Sequence, residues 1–240
     1  MTTIFNPVGT ASPARAEGAK AATRRVVDAP TRLMHALLAM TFVGAYVTAD
    51  GERWRLMHVT LGYTLAGVFV ARLLWGMLGP RPARLSSLWR KLQAFPAWLK
   101  AALAGRMDGR GGQNLAMALA IALLLALIAP LTLSGYGVYQ EWAGDWLEGA
   151  HEFFGNAMLA LVLAHIALVL GMSVLRRRNL VTPMVTGRTA GAGPDLVKRP
   201  YTALAALLLV AVFAFWAWQW QQAPVLHGAA AQSQSHDDDD

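Results

Sequence analysis

The chain has 240 residues, 55% of them hydrophobic and only 15% charged, with a mean hydropathy of +0.38. That is too apolar for an ordinary soluble domain and points to the membrane class. It has no cysteine, which excludes disulfides, thiolate metal sites, iron–sulfur clusters and thioether-attached haem, so any ligation falls to His, Met and carboxylates. The net charge of +7 and pI near 10.2 do not indicate nucleic acid, because the basic residues lie in the loops between apolar runs, as membrane topology requires.

In chain order, residues 1–30 are Ala-, Thr- and Arg-rich and read as a largely disordered tail. The first span is about 31–49, "TRLMHALLAMTFVGAYVTA". Its "VTA" before Asp50 faintly resembles a signal cleavage site, a reading set aside because His35 finds a partner further on. The second span is about 58–78 and the third about 114–134, with Pro130 expected to kink or stop it. The fourth, about 151–174, contains "HEFFGNAMLALVLAH", and the fifth, about 201–220, is free of charge and closed by Trp residues. Each is near the roughly 20 residues that cross a bilayer, and backbone satisfaction in lipid makes each a helix.

Lys and Arg concentrate in the N-terminal tail and in the 79–113 and 175–200 loops. The N-terminus is therefore expected to be cytoplasmic and the C-terminus outside. Residues 221–240, ending in an Asp run, are expected to be a disordered outer tail. The stretch "ARLSSLWRKLQAFPAWLKAAL" mixes basic and apolar residues and suggests an amphipathic segment on the cytoplasmic membrane surface. On the outer side, Glu141, Asp145, Glu148 and Glu152 would form one stripe if helical. That stripe is either a solvated face or a docking patch that steers a basic partner such as a soluble cytochrome.

Four histidines fall within the spans, where an ionisable ring is costly and by default functional. His151 and His165 sit fourteen residues apart on the fourth helix, nearly four full turns and about 21 Å, so both project from one face. His58 opens the second span at the depth of His151, and His35 lies as deep in the first span as His165 does in the fourth. A single membrane histidine could simply bond a neighbouring carbonyl. Two level pairs, His35 with His165 and His58 with His151, instead fit two stacked haems with bis-imidazole ligation. A dinuclear metal site is disfavoured by the separation of the pairs and by the lack of a buried carboxylate beside them.

Gly62 and Gly155 each follow an outer histidine by four residues, where a flat macrocycle needs clearance; small residues also simply pack transmembrane helices. Arg72, fourteen residues after His58, is placed at the depth of the lower pair. It can meet a haem propionate or a quinone carbonyl, or snorkel to the cytoplasmic headgroups.

The stretches "VVDAPTRLMHALLA", "RLMHVTLGYTLAGVFVARLLWGMLGPRPARL", "HEFFGNAMLALVLAH" and "NLVTPMVTGR" resemble the prokaryotic cytochrome b561 family, which is related to the b-type cytochrome subunits of membrane-bound nickel–iron hydrogenases. The resemblance covers most of residues 25–190. It implies a four-helix core holding two b haems through His35, His58, His151 and His165. It also implies electron transfer between the quinone pool and a redox partner outside, whether a c-type cytochrome or an oxidoreductase subunit. The chain departs from the family in having Ala36 where many relatives have Trp, in its short first outer loop, and in its fifth span and tail.

The expectation is thus an all-α, multi-pass protein of the bacterial inner membrane: a four-helix dihaem bundle plus a fifth C-terminal transmembrane helix. Its cofactors are two haem b, with a quinone as a candidate ligand near the lower haem. Its partners are membrane lipid, quinone or quinol, and a periplasmic redox protein, with no nucleic acid. An electron-transfer subunit is favoured over a stand-alone enzyme. One rival is a superoxide:quinone oxidoreductase, which the net acidic outer loops disfavour. The other is a non-haem proton-coupled transporter or scaffold, disfavoured by the lack of an internal repeat.

Overall fold

The computed structural model describes residues 22–106, 109–142 and 144–237. The main helices are α1 (Ala29–Val47), α2 (Arg55–Leu78), α3 (Leu85–Leu92), α4 (Phe95–Leu103), α5 (Gly109–Tyr139), α6 (Asp145–Leu175), α7 (Thr182–Thr186) and α8 (Thr202–Asp237). Two short strands, β1 (Thr23–Arg25) and β2 (Arg188–Ala190), pair antiparallel with Arg24 opposite Thr189.

α1, α2, α5 and α6 meet in one apolar core built from Phe42, Leu65, Ile128, Leu131 and Met158. α5 and α6 form the most extensive helix pair, followed by α1 and α2. The α5–α6 hairpin is pinned far from its turn by Arg176, which donates to Gln113 Oε1 at 2.8 Å and to Asn114 Oδ1 at 3.0 Å. α8 lies outside this core, with Val212, Leu208 and Trp216 against Met34, Leu37 and Val68. Trp216 Nε1 also donates to Thr64 Oγ1 at 2.8 Å, satisfying a buried hydroxyl that lipid could not.

Among the described residues, four helices are long and apolar enough to cross a membrane: α2, α5, α6 and the Thr202–Gln222 part of α8. α1 is not among them, since its 19 residues include Pro30, Arg32 and His35, which lower its hydropathy. Pro130 does not stop α5, which runs on to Tyr139; one missing N–H is tolerated where neighbouring helices pack around the site. α6 starts at Asp145, so His151 lies more than a turn inside it rather than at its start. Glu141 sits in the preceding turn at φ 55°, and the acidic stripe on α6 is therefore Asp145, Glu148 and Glu152 without it.

The N-terminal region differs from expectation too. Residues 1–21 lie outside the described residues, but from Ala22 onward the chain is held in a strap. Val26 N donates to Gly187 O at 2.9 Å, Leu196 N to Arg25 O at 2.9 Å, and Arg32 to the carbonyls of Met184 and Val185. Gly187 takes φ 77°, and a side chain there would meet Val27 O at 2.9 Å. At the other end, α8 continues through the expected tail as far as Asp237, since an established helix lengthens at one hydrogen bond per residue; residues 238–240 lie outside the described residues. The basic, apolar stretch after α2 forms two helices, α3 and α4, broken where Pro96 starts the second.

Candidate functional site

At the α5–α6 turn end of the bundle, His58 on α2 and His151 on α6 face each other with ring centroids 6.0 Å apart and planes at 89°. His58 Nδ1 bonds Ala45 O at 2.8 Å, and His151 Nδ1 bonds Leu131 O at 3.1 Å. A carbonyl can only accept, so each Nδ1 carries the proton and each Nε2 keeps its lone pair. Such an arrangement orients a ring for a metal and raises its basicity. Two metal–imidazole bonds of about 2 Å each, with the distance from each nitrogen to its ring centre, span a gap of this size.

The rings open into a cavity of about 510 Å³ whose walls include Gly62, Gly155, Tyr63, Tyr136, Asn156 and Glu152. A Cβ added at Gly62 or Gly155 would meet nothing within 4 Å, so these glycines border open space and are not pressed against a neighbouring helix. Tyr46 Oη donates to Asn156 Oδ1 at 2.9 Å, joining α1 to α6 at one edge of the cavity. The cavity therefore has the size of a small-molecule or cofactor site, and both histidines line it.

The second pair lies deeper. His35 on α1 and His165 on α6 are near enough to interact electrostatically. His35 is exposed and His165 half-buried in the helix assembly, and α1 and α6 do not pack closely side by side. His165 Nδ1 is buried with no hydrogen-bond partner, an orphaned polar atom that the protein itself does not explain. Among the described residues no three His, Cys, Asp or Glu side chains gather to hold a metal ion.

Arg72 on α2 lies within electrostatic range of Asp28 at the start of α1 and keeps a buried Nη1 without a hydrogen bond. Asp28, only 1% exposed, accepts from Thr31 N at 2.8 Å and from Trp75 Nε1 at 3.0 Å. It caps α1. The run "DAPT" carries the one-dimensional signal of this role, a capping Asp followed by Pro in the first turn.

Two residues of α5, a helix that contributes no histidine, also lie against His151. Ser134 Oγ lies 3.3 Å from His151 Nδ1. A Cβ on Gly135 would fall 2.7 Å from His151 Cε1. Nothing in their one-dimensional spacing links them to His151, which is on another helix.

The family model of prokaryotic cytochrome b561 matches residues 26–187. No curated protein and no solved structure matches the chain.

Proposed function

The chain belongs to the prokaryotic cytochrome b561 family, and from that premise we propose that it is a dihaem electron carrier linking the membrane quinone pool to a redox protein on the outer face. Family membership already implies a membrane protein with b-type haem that acts in electron transfer. The dihaem reading adds the ligands. His58 and His151 hold the outer haem through Nε2, with their Nδ1 protons committed to Ala45 O and Leu131 O. His35 and His165 hold the inner one. Each haem, when bound, would supply a one-electron carrier held by its pair of histidines.

The chain's own residues do the rest. Gly62 and Gly155 keep the outer cavity open, and the apolar core of α1, α2, α5 and α6 excludes water from between the two pairs. Arg72, with its unpaired Nη1, is available to a propionate or to a quinone carbonyl at the strap end. α1 completes the bundle as the first of five crossings, with the basic loops on the cytoplasmic side. Trp142 and Trp146, 67% and 68% exposed beside Asp145 and Glu148, suit a partner that brings basic residues to the outer face.

The observation that carries this reading is the His58–His151 pair: two imidazoles 6.0 Å apart, both Nδ1 atoms spent on carbonyls, at one cavity. The test is a reduced-minus-oxidised spectrum of the purified protein with haem quantified per chain. Two b haems per chain, falling to one in the His58→Ala or His165→Ala protein, is the expected result. A folded, colourless protein would refute it and return the histidines to a proton path.

A further inference from the structure

α5 carries none of the four histidines, yet one side of His151 is built from it. The oxygen of Leu131 accepts from His151 Nδ1 at 3.1 Å and also from Ser134 Oγ at 3.0 Å. The Ser134 hydroxyl oxygen, 3.3 Å from Nδ1, is only a long second acceptor for the ring N–H, weaker than Leu131 O, and the residue is 6% exposed. One carbonyl therefore serves two donors, and the imidazole shares it. The opposite ring has a weaker version of the same arrangement. Ala45 O accepts from His58 Nδ1 at 2.8 Å and, at 3.2 Å, from Thr48 Oγ1, whose main bond goes to Gly44 O at 2.7 Å.

We infer that Ser134 is a tuning residue: its hydroxyl competes with His151 for Leu131 O and so holds the outer haem at a higher reduction potential than the same ligands would set without it. This rests on the ligand assignment proposed above. The reasoning is electrostatic. An Nδ1–H bond to a carbonyl pushes electron density onto the ring and raises its basicity as a ligand. A more basic ligand favours the oxidised iron, so strengthening that bond lowers the potential. A second donor on the same oxygen draws on its lone pairs and weakens the bond. Thr48 acts in the same sense on His58, but less, because its hydroxyl is mostly engaged elsewhere.

The experiment is redox titration of the purified haem-loaded protein, with the outer haem assigned by its loss in the His58→Ala protein. Ser134→Ala is expected to lower that potential alone. The shift corresponds to a threefold to tenfold change in the reduction equilibrium, the upper end being about 59 mV for one electron. Thr48→Val should move it the same way by less, and Ser134→Thr, which keeps a hydroxyl, should leave it near the wild-type value. An unmoved or raised outer potential, an equal shift of both haems, or loss of the outer haem from both the Ser134→Ala and Thr48→Val proteins overturns the inference. A wild-type protein with no His58-dependent haem refutes the ligand assignment and the inference with it; a haem present at an unmoved potential refutes only the inference.

Discussion

Gly135→Ala separates a ring seated by its neighbours from one that merely lies near them. The new Cβ would stand 2.7 Å from His151 Cε1, 3.0 Å from Nδ1 and 3.4 Å from Nε2. Ordinary van der Waals contact begins near 3.4 Å, so the ring must retreat by ~0.7 Å, well beyond the roughly 0.2 Å tolerance of a metal–ligand bond. It cannot retreat freely, because Nδ1 is held by Leu131 O at 3.1 Å. Overpacking of this kind costs about 1–3 kcal/mol, and losing the hydrogen bond adds about 1 kcal/mol. Against a stability of roughly 5–15 kcal/mol, the chain still folds. The expected outcome is a monodisperse protein with half the wild-type haem per chain, measured by pyridine haemochrome and size-exclusion chromatography. The control is Gly67→Ala, on the exposed side of α2 with nothing within 4 Å, which should retain both haems. A full haem complement in the Gly135→Ala protein would refute the argument that His151 is seated against α5.

Gly62→Ala and Gly155→Ala offer a different contrast. Their Cβ atoms meet no protein atom and improve helix propensity, so the haem-free protein should melt no lower while haem content falls. His35→Ala should remove one haem and leave the His58-dependent one spectrally intact. Asp28→Ala removes a helix cap worth about 1 kcal/mol and strands the Trp75 N–H, at about 1–3 kcal/mol more. A thermal melt in detergent should show a clear loss, and Asp28→Asn, which keeps an acceptor, a smaller one. Electron transfer to a basic soluble cytochrome should slow with added salt, and roughly tenfold in the Asp145→Lys, Glu148→Lys double variant under low salt; salt-independent rates would remove the acidic face from the docking reaction.

Much of this protein could be read from one dimension. Apolar runs located α2, α5, α6 and α8, because in lipid a long apolar segment has no option but a helix that satisfies its own backbone. The four histidines were legible because helical rise converts residue number into depth, and the structure brings His58 to His151 and leaves His35 within electrostatic reach of His165. Boundaries were less legible. α5 passes Pro130 and α6 begins six residues before His151, since helix ends outside the apolar core answer to turn chemistry that hydropathy does not record.

Tertiary structure alone decided what surrounds each ring. Leu131 O, Ser134 and Gly135 touch His151 from another helix, and Asp28 accepts from Trp75 on α2. It also held residues 22–28, the described part of an expected loose tail, in a strap by pairing β1 with β2, more than 160 residues away. Periodicity and hydropathy describe a helix relative to its own axis and its solvent. Which carbonyl, hydroxyl or bare Cα faces a given imidazole depends on how two helices are rotated and shifted against each other, and that is set only when their side chains pack.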